Sequence, residues 1–496
     1  MKLFAGLVAL SAAIAAPPAA TLEQRFSELR ERPPALYQFL LAMPKGGDLH
    51  THLTGAIYAE TYIRIASEDG LCVDLRSYAI IARPPAASGK PPCGDHAADA
   101  SLLRTDNDLA NAVVNSLSMR GFVPGRETAH DHFFATFAKF GPSRSAHEGE
   151  LLAEVIQRAA DQNESYLELM VLNGTAANAL GSKVGFDGDF DRTRQMLDAA
   201  GLPDVVRNMR TRVEQLEQSR VAALGCGSHP DSEACRVKIG YLYQILRESP
   251  KEQAFAQTLA GFMLASEDPR VVGVNIVQPE DGLVSMRDYR LQMQMIGYAK
   301  SLYPKVHVSL HAGEIAPGLV PPEGLRFHIR EAVERAQAER IGHGADFAYE
   351  TDAAGLAAEM KKRRVLVEIN LTSNDLILGL RGKDHPFPFY RKSGVPVALS
   401  TDDEGVSRTN LTQEYLRATL DYRLTYADLK EMARNSLEYS FAPGASYWRG
   451  GGYEVRTASC ASGIKTSTCQ VFLKVNQKAR LQADLEERFA KFEAKQ

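Results

Sequence analysis

Eight short apolar runs recur along this 496-residue chain, and amphipathic segments at helical spacing separate most of them. The runs fall at residues 49–53, 166–172, 237–246, 271–277, 306–310, 340–341, 365–369 and 395–399. The intervening segments include 255–265, 291–303, 324–338 and 353–364, whose apolar residues repeat with a helical period. Strands that alternate with helices make parallel sheets, and eight such units predict an α/β fold of the (β/α)8 barrel type. An open doubly wound sheet is the rival. It would place a glycine-rich nucleotide loop after the first strand, whereas Gly46 and Gly47 precede it here.

In a barrel, functional groups gather at the C-terminal ends of the strands. The first run reads L-H-T-H-L, and residues two apart on a strand face the same way, so His50 and His52 share a side. His311 ends the fifth run in HVSLHAGE, with Glu314 three residues on. His343 ends the sixth in RIGHG, and Asp402 and Asp403 end the eighth in STDDEG. Each alone has an ordinary explanation: a histidine capping a strand, an acid in a turn, an acid pair opening a helix. Together, three histidines and one carboxylate make a ligand set for zinc that leaves a position for water or substrate.

The ordered motifs MPKGGDLHTHL, SLHAGE, RIGHG and STDD resemble the adenosine deaminase family, in register from Met43 to Ala442. The MPKG opening, the apolar leader, the helical N-terminal extension and a cysteine-bearing insertion after the first strand resemble its secreted branch, the adenosine deaminase-related growth factors. The resemblance implies one Zn2+ per chain held by His50, His52, His311 and Asp402. It implies Glu314 as the proton shuttle bonded to the purine N1, His343 as the group that orients the hydroxide, and Asp403 as the partner of the purine N7 that also helps position the attacking water. Zinc lowers the pKa of its water towards about 7, and a protonated Glu314 can meet the charge that attack on C6 pushes onto N1. The implied reaction takes adenosine, and 2'-deoxyadenosine, to the inosine product and ammonia. Related amidohydrolases bridge two ions with a lysine from the fourth strand; VVGVNIV contains none, which favours a single ion.

Two positions depart from the family. Thr54 stands where the adenosine enzymes carry an aspartate that contacts the ribose 5'-hydroxyl. Gln278 stands where they have a glycine whose backbone meets the purine. Neither touches the metal or proton chemistry, so the sugar end is what they put in question, and deaminases of adenine, other adenosine derivatives or larger aminonucleosides share the same core. Ser373 and Asn374, just past the seventh run, read either as pocket-lining residues or as a helix N-cap. His385 reads as a surface-loop histidine, with the pocket mouth as the alternative. The non-enzymatic alternative is a secreted binding protein that has kept the barrel and lost activity, but all seven proposed metal and catalytic residues are present.

The six cysteines, Cys72, Cys93, Cys226, Cys235, Cys460 and Cys469, fall as three near-neighbour pairs around loop sequence, and proximity favours three local disulfides. They agree with a leader at 1–20, where an apolar stretch ends in Ala13-Ile14-Ala15, so a secreted or periplasmic location is expected. A net charge of −4 without long charged runs points away from nucleic acid and from stable membrane association, while the resemblance implies a small purine nucleoside as partner. The remaining layout is a helical extension at 21–46, a barrel at 47–445 with an insertion at about 68–100, and a tail at 446–496 ending in a charged helix with one apolar stripe. The N-terminal helices either make a homodimer, as in the secreted branch, or pack on the base of the barrel.

Overall fold

The computed structural model describes residues 21–85, 92–144 and 146–496. The leader expected at 1–20 lies outside them. The eight apolar runs form eight parallel strands: β1 (Gly46–His52), β2 (Glu164–Asn173), β3 (Lys238–Leu246), β4 (Val271–Val277), β5 (His307–Ala312), β6 (Arg340–His343), β7 (Leu366–Ile369) and β8 (Val397–Leu399). Each pairs with the next in sequence order. The seam between the first and last is closed by the Thr51–Asp402 bridge, where His52 N–H donates to the Asp402 carbonyl (3.1 Å) and Asp402 N–H to that of His50 (2.8 Å). Asp48 reinforces the seam. Its carboxylate accepts from His50 N–H (3.0 Å), Thr401 N–H (3.0 Å) and the Thr401 hydroxyl (2.6 Å).

Polar residues inside the strands meet at the barrel centre. Arg340 of β6 bridges Glu168 of β2 and Glu368 of β7, each at 2.5 Å, and all three are fully buried. The hydroxyl of Ser309 in β5 donates to Glu368 (2.9 Å), Phe441 N–H donates to Glu168 (2.5 Å), and the guanidinium lies 3.7 Å from the centre of the Phe441 ring. Desolvating three charges is tolerable only because each is satisfied on several sides.

The base of the barrel is covered by both chain ends. Pro33 and Pro34 divide the N-terminal extension into two helices, Leu22–Leu29 and Pro33–Ala42, and open the second, where proline fits a first helical turn because its missing N–H would be unpaired there. The tail helix Gln477–Glu493 turns its apolar stripe inward, so Phe492 and Phe39 pack edge-on at 5.0 Å with Phe26 and Tyr426 alongside. Arg488 reaches Asn163 at the start of β2 (3.0 Å). The N-terminal helices pack on the base of the barrel within the chain.

The insertion folds as a three-stranded antiparallel sheet, Cys72–Asp74 between Ile80–Ile81 and Ala97–Asp99, pinned by Cys72–Cys93. The other disulfides, Cys226–Cys235 and Cys460–Cys469, also join near neighbours, as proximity suggests. Beyond the sheet, the helix Ala129–Thr136 lies over the barrel mouth. Among the described residues no helix is long and apolar enough to cross a membrane.

Candidate active site

His50 and His52 from β1, His311 from β5 and Asp402 just after β8 converge at the C-terminal mouth. His311 Nε2 lies 3.1 Å from Nε2 of both His50 and His52, and each of those lies 3.4 Å from Asp402 Oδ1. Ligands about 2.0–2.1 Å from a tetrahedral ion stand roughly 3.4 Å apart, so these four atoms have the spacing of a metal site. The outer nitrogens are already committed. His50 Nδ1 faces Glu368 Oε2 (2.7 Å) and His311 Nδ1 faces Asn275 Oδ1 (2.8 Å). Burial opposes the charge of Glu368, but Arg340 and His50 outweigh it and hold the carboxyl down at about 2. It therefore accepts a hydrogen bond from His50 Nδ1–H, which turns the Nε2 lone pair inward. Burial likewise keeps His311 neutral. Lone pairs crowded at such distances repel unless a cation lies between them, so the donor set fits a metal.

Backbone shape makes room for this. Asp402 and His343 take left-handed φ values of +62° and +67° at the strand ends, which aims their side chains across the mouth. Gly342 leaves space for the His50 ring, which an added Cβ would strike. Gly55 does the same for the Asp403 carboxylate.

Around the ligands stand the acid–base groups. Glu314 follows β5 in a turn held by Glu280, whose carboxylate accepts the N–H of Gly313 and of Glu314, both at 3.0 Å. Burial works against the charge of Glu280 too, but Arg247 and His328 hold it down at about 2. For Glu314 burial, then the carboxylates of Asp402 and Glu280, push the carboxyl well above the usual range, which favours its protonated form. The opposing pull of Arg247 and His50 is the smaller influence. Burial and the neighbouring Asp402 raise Asp403 as well. His343 Nε2 lies 3.6 Å from Glu314 and 3.9 Å from Asp402, and burial keeps its ring neutral, down at about 3. Neither His343 Nε2 nor Asp403 Oδ1 has a hydrogen-bond partner among the described residues, although both are buried. Asp403 lines the cleft floor, where such an unsatisfied atom is a place for a ligand to bond.

The cleft has a volume of about 500 Å³, typical of a small-molecule site. His52, His311, Glu314, Asp402 and Asp403 line its floor. Its walls include Thr54, Gln278, Gln244 and three phenylalanines, Phe133, Phe134 and Phe137, from the helix over the mouth and its C-terminal end. Gln278 has φ +85°, a backbone shape that favours glycine, and its amide oxygen accepts from Glu248 N–H (3.0 Å). Ser373 lies behind the floor, donating to Asp402 Oδ2 (2.6 Å). Asn374 and His385 are buried and joined to His343; the proline-rich loop that suggested a surface histidine folds back under the helix Leu371–Leu378.

Sequence reading passed over the supporting groups Asp48, Asn275, Glu280 and Glu368. Their signal was present. Asn275 in VVGVNIV and Glu368 in VLVEIN are polar residues inside otherwise apolar strands, which a buried strand carries only for a partner.

A family model described as adenosine deaminase matches residues 150–447. An adenosine deaminase of Clostridium perfringens is 23% identical over 406 residues, 81% of this chain and 95% of that protein. A solved structure of the N6-methyl-AMP deaminase from Arabidopsis thaliana superposes with a TM-score of 0.52 at 20% identity, covering 82% of this chain and 94% of that one. An amidohydrolase from Burkhoderia ambifaria with bound Zn superposes with a TM-score of 0.50 at 15% identity, covering 92% and 95%.

Proposed function

The chain belongs to the adenosine deaminase family and is a hydrolase of C–N bonds, and from that premise we propose that it is a secreted, zinc-dependent deaminase of 6-aminopurine nucleosides, adenosine first among them. The observation that carries the reading is the shared floor: His52, His311, Asp402, Glu314 and the unpartnered Asp403 Oδ1 line one cleft, with His50 completing the ligand cluster just behind it. The bound ion would supply hydroxide at neutral pH. Export rests on the leader and the three disulfides, which also support placement in the secreted growth-factor branch.

The chain's own residues account for the rest of the proton inventory. Asp403, whose carboxyl is pushed up by burial and by Asp402, donates to the purine N7 and fixes the ring over the floor. Glu314 donates its proton to N1 as the oxygen bonds to C6, so the ring carbon becomes tetrahedral without a full charge on nitrogen. Glu314, now a carboxylate, takes the proton of the new hydroxyl and delivers it to the departing amino group. The C6–N bond breaks, ammonia leaves, and the N1 proton stays on the inosine product. His343 keeps the incoming oxygen aligned from the far side.

A second reading, a larger or differently substituted 6-aminopurine as the natural substrate, is favoured by Thr54 and by the Gln278 side chain at the wall. The test is the fall of the ultraviolet band of adenosine with purified protein, beside Glu314→Gln and a chelated sample. Turnover abolished by both establishes the reading. Folded, zinc-loaded protein that leaves adenosine unchanged while converting another 6-aminopurine selects the second, and protein inert to the whole panel overturns both.

A further inference from the structure

Behind His343 runs a chain of hydrogen bonds that ends in a backbone amide. Phe387 is the first residue of the helix Phe387–Ser393, and its N–H has no partner within that helix. It donates to His385 Nδ1 (3.1 Å). A backbone N–H can only donate, so Nδ1 of His385 is the acceptor nitrogen of a neutral ring and Nε2 carries the hydrogen. Burial, with Arg417 adding to it, keeps that ring neutral, down at about 4. His385 Nε2 lies 2.9 Å from Asn374 Oδ1, which must therefore be the carbonyl end of the amide. The other end, Asn374 Nδ2, lies 3.0 Å from His343 Nδ1 and can only donate to it. Asn370 places a second amide nitrogen 3.4 Å from the same atom. Two donors on Nδ1 leave His343 one neutral form, with its hydrogen on Nε2.

We propose that Asn374 and His385 are positioning residues that fix the tautomer of His343, so that this ring presents an Nε2–H rather than a lone pair to the oxygen that attacks the purine. The inference rests on the deaminase reading for what the hydrogen does, but not for where it sits. An Nε2–H can donate to one lone pair of the attacking oxygen and leave another for C6. The opposite tautomer would compete for the oxygen's own hydrogen and turn it away from the ring. The polarity of the relay is set at its outer end by an atom with no alternative form, which is why the proline-rich loop of residues 383–388 must fold under the barrel mouth.

The test uses the full-length, zinc-loaded protein carrying histidine labelled with the heavy nitrogen isotope, with the His343 signals identified by their loss in His343→Gln. Long-range proton–nitrogen correlation is expected to show His343 protonated at Nε2 and bare at Nδ1. Asn374→Asp keeps the shape but puts an acceptor against Nδ1, so the hydrogen should move there, or a second be gained. Its kcat should fall on the order of 100-fold or more, with KM and zinc content little changed. His385→Leu should fall in the same direction, while His385→Gln, which keeps one donor and one acceptor, should restore most of the loss. A wild-type His343 protonated at Nδ1 overturns the proposal. So does Asn374→Asp with unchanged kcat, or His385→Gln no better than His385→Leu. If Asn374→Asp does not fold, the wild-type spectrum and the His385 pair still decide. If no 6-aminopurine is turned over, the functional reading fails while the spectrum alone judges the tautomer.

Discussion

At the floor of the cleft His50, His311, Asp402 and Glu314 each have a further group behind them, whereas several side chains of the walls towards solvent are half-buried with few bonds between them. His50 leans on Glu368, Glu368 on Arg340, and Arg340 on Glu168, all fully buried. Glu314 is held through its own N–H by Glu280. By contrast Thr54, Phe134, Phe137 and Gln278 line the wall half-buried, and the Gln278 amide oxygen bonds the neighbouring Glu248 backbone. Positions that must hold a reacting atom are built rigidly, while positions that only shape the volume are free to vary. Reaction class therefore lives in the floor and substrate choice in the walls.

The sharpest way to break that comparison is at the floor. Glu314→Gln keeps the shape and removes the transferable proton; kcat for the preferred 6-aminopurine should fall roughly 10²–10⁴-fold with an unchanged melting temperature. Retained activity would move the shuttle elsewhere. Next, Arg340→Met strands Glu168 and Glu368 without their cation and should cost about 3–5 kcal/mol in denaturant unfolding, with weaker zinc retention because His50 loses its orienting partner. A smaller effect comes from Glu414, whose carboxylate accepts the Thr372 N–H (3.1 Å) beneath the helix that carries Ser373 and Asn374. Burial pushes its carboxyl up to about 7 from an ordinary 4.5, against hydrogen bonds from Thr372. The fold binds this proton more tightly than the unfolded chain, so the contribution is complete below pH 4.5 and disappears as pH rises through 7. Thermal unfolding of Glu414→Gln should lose that part of the slope, on the order of 1–3 kcal/mol across the window.

At the walls the effects shrink. Thr54→Asp should change KM for adenosine by about tenfold or less and leave kcat nearly unaltered, since a single hydrogen bond to substrate is at stake. A comparable loss of kcat would show that the wall takes part in the chemistry. Gln278→Gly relieves the left-handed φ and should leave stability within about 1 kcal/mol of the parent, read by denaturant titration, while shifting preference among 6-aminopurines.

The same division explains what could be read from the sequence. The eight strands were legible because each is a short apolar run between amphipathic helices, and the ligands because strand ends are where a barrel collects function. The supporting shell was harder. Glu368 and His50 are 318 residues apart, so nothing local couples them. Glu280 was hidden by the turn-like sequence QPEDG, which reads as a loop until its carboxylate is seen holding the Glu314 backbone. His385 was misplaced because Pro386 and Pro388 signal an exposed loop, and only the buried amide of Asn374 reveals why that loop turns inward. The walls carry the least periodic sequence in the chain, and their phenylalanines are contributed by a helix whose position over the mouth no strand pattern fixes.

The seam between β1 and β8 has a consequence for how the protein is made. Two of the candidate ligands come from the first strand to emerge and one from just beyond the last, and the backbone hydrogen bonds joining His50 and His52 to Asp402 are the ones that close the barrel. A growing chain holds only a partial, low-affinity site until nearly all of it has been synthesised, and contacts so distant in sequence form slowly. Under the proposed metal reading, tight capture would be a clock for ring closure, since a fragment ending before β8 lacks Asp402 and should bind loosely.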